Sequence, residues 1–147
     1  MRPLSLSIER GFTIIEVVIV LAIGSILMAI IVPRAGIFID RIEVRGAVTE
    51  IESSFSLARH AAIARGSQVT LNIDNARGII SITTATDTIQ ARPVGPAHKV
   101  TLSANRPGIT YSPIGLGYGA ANFTLLVTRN RVTDSVLISR LGRVRHR

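Results

Sequence analysis

RGFTIIEVVIVLAIGSILMAIIVP, residues 10 to 33, is an apolar run interrupted by one carboxylate, Glu16. From Phe12 to Val32 there are 21 residues with that single ionisable group. As a helix they span about 32 Å at about 1.5 Å per residue. The apolar core of a bilayer is about 30 Å thick, so the segment is long enough to cross one. An ionised carboxylate at the centre of such a helix costs about 2.5–3.5 kcal/mol, which calls for a partner or a function. The flanks do not have the order of a secretory signal. The leader MRPLSLSIERG is short and polar to mixed, and its glycine stands before the apolar segment, whereas a cleaved signal carries its small residues after it. Arg2 and Arg10 favour a cytoplasmic N-terminus, a bias weakened by Arg34 and Arg41 beyond the span.

Cleavage after Gly11 would give Glu16 a partner. The new terminus is the amine of Phe12, and Glu16 becomes the fifth residue, about one helical turn away. In a helical array, the ammonium of a neighbouring subunit can neutralise the carboxylate and so set the axial register between chains. GFTIIE resembles the processing site of type IV prepilins and type II secretion pseudopilins, where a membrane peptidase cuts after the glycine and methylates the new N-terminal phenylalanine. The match covers the short basic leader, Gly11, Phe12, Thr13, Glu16 and the apolar run. It extends to Pro33, residue 22 of the mature chain, where many pilins carry a helix-kinking proline. The resemblance implies processing at Gly11 and Phe12, assembly roles for Glu16 and Pro33, and, as partners, prepilin peptidase, the inner membrane and other pilin or pseudopilin subunits.

The whole chain has 147 residues and a formal charge of +8, carried by sixteen arginines and the single Lys99. Removal of the leader leaves 15 basic and 8 acidic side chains, net +7. Arginine favours planar bidentate partners such as phosphate or carboxylate. Cysteine is absent, which excludes disulfides and thiolate metal sites and leaves packing to stabilise the fold. His60, His98 and His146 have no acidic cluster near them in sequence, and no metal-ligand spacing, nucleophile elbow or phosphate-binding glycine loop is present. GLGYG, residues 115 to 119, lacks the lysine and helix that would make it a phosphate cradle. No enzyme activity and no cofactor are expected.

Beyond Pro33 the pattern predicts a continued helix. Ile37, Val44, Val48, Ile51, Phe55, Ala58 and Ala62 form one apolar stripe at spacings of three, four or seven, and Gly66 suits a C-cap. Arg59, His60 and Arg65 suit the negative end of the helix dipole. Pro33, Gly36 and Gly46 weaken helix, so a local bend or melting is expected in the middle. From Gln68 the period becomes two. Strands are predicted around Val69/Leu71/Ile73, Ile80/Ile82, Val100/Leu102, Phe123/Leu125/Val127 and Val136/Ile138, with a sixth through ITYS at 109 to 112. Turns are expected at 75–78, 105–108, 115–122 and 130–131, and a longer loop with Pro93 and Pro96 at 85–97. A sheet this small needs the helix stripe as a second layer.

The chain closes on RLGRVRHR. Residues 129 to 147 contain Arg129, Arg131, Arg140, Arg143, Arg145 and Arg147 against one acid, Asp134. In an extended backbone Arg143, Arg145 and Arg147 share one side at roughly 6.5–7 Å intervals, a spacing that could follow a phosphate backbone. No aromatic is interleaved, so binding to nucleic acid would be electrostatic and largely independent of sequence. The length, the helix-then-sheet order and LISRLGRVR resemble the GspH/FimT family of minor pilins and pseudopilins, whose FimT branch includes DNA-uptake subunits with a Gly-Arg-x-Arg motif. Gly142, Arg143 and Arg145 match that motif.

The fold expected is α+β and pilin-like: a leader (1–11), a transmembrane or filament-core helix (12–32), its amphipathic continuation (33–66), an antiparallel β domain (67–141) and a basic tail (142–147). The resemblance implies a single-pass protein of the bacterial inner membrane, with its C-terminal domain periplasmic or in an extracellular filament. Two readings stay open. One is a minor pilin binding double-stranded DNA through its tail; the other is a type II secretion pseudopilin with a purely structural role, its tail solvated or docked on an acidic neighbour.

Overall fold

A computed structural model describes residues 11–118, 123–139 and 144–146. The chain divides into two compact units, Met1–Gly36 and Ile37–Arg147. Helix α1 (Ile14–Arg65) begins in the first and ends in the second. Helical structure is unbroken across Pro33, Gly36 and Gly46, so the expected local melting is not found. Proline removes its own N–H from the ladder and crowds the carbonyl four residues before it, a cost that the helix bears here without breaking. Gly46 has a packing reason for lacking a side chain, since a Cβ there would lie 3.0 Å from the His98 ring.

In the first unit the apolar side chains from Phe12 to Val32 are exposed, and α1 contains a stretch long and apolar enough to cross a membrane with none of it buried among the described residues. The Ser25 hydroxyl lies 2.8 Å from the Leu21 carbonyl and 2.9 Å from that of Ala22, so this hydroxyl is satisfied by its own helix.

In the second unit α1 buries Val44, Ala47, Val48, Ile51, Ser54, Phe55, Ala58 and Ala62. The stripe therefore starts one heptad later than predicted: Ile37 is 44% exposed, and Ala47 and Ser54 join the buried face. The Ser54 hydroxyl donates to the Glu50 carbonyl at 2.9 Å, which lets a polar side chain sit in the core. The helix stops as expected at Gly66, whose φ of +59° is open to glycine at little cost. Ser67 N–H donates to the Ala62 carbonyl and Gly66 N–H to that of Ile63, the paired bonds of a Schellman cap.

The strands are β1 (Val69–Asp74), β2 (Ile79–Thr83), β3 (Thr88–Arg92), β4 (Thr101–Ala104), β5 (Gly108–Tyr111), β6 (Gly117–Tyr118), β7 (Phe123–Arg129), β8 (Val132–Ile138) and β9 (Val144–His146), with a short helix α2 (Val94–His98) after β3. They make two antiparallel sheets, ordered β3-β2-β1-β5-β6 and β4-β7-β8-β9. All six predicted strands are present. The predicted loop 85–97 is instead largely structured, as β3 and α2. Val100 is buried but precedes β4. The alternation places Val69, Leu71, Ile73, Ile80, Ile82, Ile109 and Tyr111 of one sheet, and Leu102, Phe123, Leu125, Val127, Val136 and Ile138 of the other, in one core with the α1 stripe. Phe55 meets Phe123 edge-on, ring centroids 5.6 Å apart.

One boundary changes. The sheet does not end at 141, because Val144–His146 pairs with β8 in the register Ile138↔Val144, Leu137↔Arg145, Val136↔His146. Part of the basic tail is thus an edge strand.

Candidate functional site

At the N-terminus, Gly11, Phe12 and Thr13 precede the helix. The Glu16 N–H donates to Thr13 Oγ1 at 3.3 Å and to the Thr13 carbonyl at 3.1 Å, and Val17 N–H reaches the same carbonyl at 3.3 Å. Thr13 is therefore the N-cap, and Thr13-Ile-Ile-Glu16 has the spacing of a capping box. A threonine three residues before a glutamate, at the head of an apolar run, is the sequence signal that marks such a cap, and hydropathy and charge alone pass over it. It matters for Glu16. The carboxylate sits in the first turn, where the helix dipole favours negative charge by about 0.3–1 kcal/mol, and not at the middle of the span where insertion costs most. Pro33 lies inside α1 at the far end of the apolar run.

On the second unit, α1 carries a row of carboxylates that the domain uses as fasteners. Asp40 accepts from Arg129 Nε at 2.8 Å and from Asn130 Nδ2 at 2.9 Å. Hydrogen bonding from Asn130, followed by the bond and charge of Arg129, holds the Asp40 carboxyl below its usual range against an opposing effect of burial. A second Arg129 nitrogen donates to the His98 carbonyl. The His98 ring lies between Glu43 and Glu50, with Nδ1 3.0 Å from Glu43 and Nε2 3.2 Å from Glu50, and Arg92 donates to Glu50 at 3.1 Å.

Two expectations are corrected by this cluster. His98 does have acidic neighbours, brought from 55 and 48 residues away by the fold. Arg129, expected as a phosphate contact, is instead paired with Asp40 of α1, with 17% of its side chain exposed. Among the described residues no group of three or more His, Cys, Asp or Glu side chains is placed to hold a metal ion.

Of the remaining tail residues, Arg131 is exposed in the β7–β8 turn and Arg145 lies in β9. Arg140, Gly142, Arg143 and Arg147 fall outside the described residues. The spatial arrangement expected of Arg143, Arg145 and Arg147 is thus described only at Arg145.

A capped, exposed apolar helix leading into a helix-backed pair of antiparallel sheets defines the pilin class of fold. Solved structures agree. The type IV minor pilin FimU of Pseudomonas aeruginosa superposes with a TM-score of 0.62 at 18% identity, covering 74% of this chain and 90% of FimU. The minor pseudopilin EpsH of the type 2 secretion system of Vibrio cholerae gives 0.57 at 15% identity, covering 71% and 95%. A search of curated proteins finds no match. The family model for the type II transport protein GspH matches residues 47–142, and that for the prokaryotic N-terminal methylation motif matches residues 6–32. The chain belongs to the GspH family of minor pilins and pseudopilins and carries the prepilin-type methylation motif.

Proposed function

We propose that the chain is a minor subunit of a type IV filament or of the related type II secretion assembly. In this reading it is cut after Gly11, methylated at Phe12 and anchored as a single pass in the bacterial inner membrane by residues 12–32. Its domain from Ile37 onward is periplasmic or displayed on the filament. The observation that carries the proposal is the exposed apolar surface of α1 from Ile14 to Val32, which none of the described residues covers. Such a surface must be covered by lipid before assembly and by other subunits after it.

Glu16 supplies register: its carboxylate, held in the first helical turn, pairs with the terminal ammonium of a neighbouring mature subunit. The test is to compare Glu16→Ala and Glu16→Val with the native chain in cells. Membrane insertion is expected to persist or improve, because an apolar residue is cheaper in lipid, while the fraction recovered in sheared filaments or pseudopilus complexes falls. Normal recovery of both variants would remove Glu16 from this role.

A second reading concerns DNA. It is favoured by the arginine density of residues 140–147, which include Arg140, Arg143, Arg145 and Arg147 and no acid, and by the edge position of β9. Beside Arg129, which is paired with Asp40, the set holds Arg131 and these four. With about three phosphate contacts, binding to duplex DNA falls with salt at a log–log slope of about −2 to −4. Replacing Arg143 and Arg145 with glutamine flattens it by about two. A folded double variant with unaltered affinity and slope would leave the structural role alone.

A further inference from the structure

Three elements of the second unit meet at Asp40. This α1 residue accepts from Arg129 at the end of β7 and from Asn130 in the turn after it, and a second Arg129 nitrogen donates to the His98 carbonyl at the end of α2. Each element then places a cation at the next position of the chain: Arg41, Arg131 and Lys99. All three are exposed, and none of their side chains has a hydrogen bond or ion pair among the described residues. The acids beside them are already engaged, Asp40 by Arg129 and Asn130, and Glu43 by His98. Arg92 balances Glu50, and Arg41, Lys99, Arg129 and Arg131 outnumber Asp40 and Glu43 by two.

The backbone adds an independent observation. Lys99 and Asn130 are the non-glycine residues with positive φ among the described residues, at +53° and +51°. Glycine is the cheaper residue in that region. At Asn130 a side chain is kept for the bond to Asp40. At Lys99 it is kept with no partner in the fold. A strained position that retains an unpaired cation points to a use outside the chain. Arg41 is a parallel case, since a basic residue shortly after the span works against a cytoplasmic N-terminus.

The tether decides what lies outside. Exposed apolar residues continue in the second unit as Ile37, Phe38, Ile39 and Ile42, before the first buried position, Val44. Asp40 follows Val32 by eight residues, which reach at most about 29 Å even when fully extended. The corner is therefore held close to the bilayer that residues 12–32 enter. Apolar side chains combined with unpaired Arg and Lys suit an interfacial contact with anionic lipid. We propose that Phe38, Ile42, Arg41, Lys99 and Arg131 form a docking surface for the anionic phospholipid headgroups of that bilayer, resting this end of the domain on the membrane before the subunit enters an assembly. The inference rests on the membrane-anchored reading, which supplies the tether.

The test uses the full-length chain in nanodiscs of phosphatidylcholine alone, or of phosphatidylcholine and phosphatidylglycerol in equal parts. The native sequence has no cysteine, so a single Ala97→Cys, exposed and next to His98, carries a fluorophore, and Ile114→Cys is the control. Gly115, beside the control position, packs on Ile63, about 35 Å along α1 from Asp40. Quenching by lipid spin-labelled at the headgroup is expected to be about twofold stronger at position 97 in the anionic bilayer than in the zwitterionic one, with no difference at 114. The difference disappears in molar salt, where the Debye length is about 3 Å. Replacing Arg41, Lys99 and Arg131 together with glutamine removes it, the exchange Arg41→Lys, Lys99→Arg and Arg131→Lys retains it, and neither set lowers the melting temperature, since no internal partner is lost.

The proposal is overturned if position 97 is quenched equally in both bilayers, if position 114 responds as 97 does, if the glutamine variant keeps the difference, or if that variant melts early, which would make the three cations internal fasteners. A response at 97 to soluble duplex DNA, with none to the anionic bilayer, would assign the corner to nucleic acid and overturn it as well. A chain that does not stay in the nanodisc would instead strike the anchored reading, and this one with it.

Discussion

Replacing Phe55 with alanine tests whether α1 is a structural layer of the domain. Phe55 is fully buried and stands edge-on to Phe123 at 5.6 Å, at the point where the helix meets β7. Deleting a buried phenylalanine ring costs about 3–5 kcal/mol in transfer and cavity terms. That is a large share of the roughly 5–15 kcal/mol that stabilises a typical domain. At roughly 4 °C per kcal/mol for a domain of this size, the melting temperature falls by on the order of 12–20 °C. Phe123→Ala costs a similar amount, but the two losses should not add. The edge-to-face contact contributes about 0.5–1.5 kcal/mol that only the first deletion can remove. The assay is urea unfolding of Ile37–Arg147, followed by circular dichroism, for the native sequence, both single variants and the double variant. A loss below about 1 kcal/mol for Phe55→Ala, or a coupling energy indistinguishable from zero, would refute the claim that the helix stripe completes this core.

Stability should also fall at both ends of the pH range, for separable reasons. Asp40 has a depressed carboxyl pKa, so its contribution is present above the ordinary aspartate value of about 3.9 and is lost as pH falls through the folded value; Asn130→Ala should shrink that acid limb of a thermal-melt series. Burial pushes the Tyr111 phenol up to about 12, with Arg59 acting in the opposite direction. The unfolded chain therefore releases this proton first, so stability is intact below about pH 10 and declines by about 2–3 kcal/mol between there and pH 12. Tyr111→Phe should remove this particular decline, and an unchanged alkaline limb would contradict the assignment.

How far the sequence was legible follows from the range of the interactions. Strands with apolar residues at alternate positions, such as Val69/Leu71/Ile73 and Phe123/Leu125/Val127, announce themselves because one face of each is core. β3 does not, since TIQAR has one large apolar residue, Ile89, and both ends of the strand are exposed. α2 is hidden by its prolines. Pro93 precedes the helix and Pro96 lies within its first turn, where an N–H has no helical partner and proline costs little. Ile37 continues the helical period but lies beyond the sheets that would cover it, so spacing alone overextends the stripe.

At the candidate sites the local signal, Gly11 to Glu16, is readable from neighbouring residues, and the Thr13 cap belongs to it. The long-range signal is not. Nothing near His98 in sequence points to Glu43 and Glu50, and nothing near Arg129 points to Asp40, 89 residues away. Arg129 reads as part of a basic run because charge patterning does not distinguish an arginine in solvent from one fastening a helix. Arg59 is the opposite case: it reads as a favourable charge at a helix end, and only the folded turn at Gly115 shows that its Nε is closed off without a hydrogen-bond partner among the described residues.

The central claim, that this chain enters a filament assembly through prepilin processing, is tested most directly by the intact mass and N-terminal peptide of the protein recovered from cells with an active prepilin peptidase. The mature protein should begin at an N-methylated Phe12, and Gly11→Val should leave the leader attached while the domain still folds. Recovery of the native chain with Met1 and the rest of its leader in place would contradict the account.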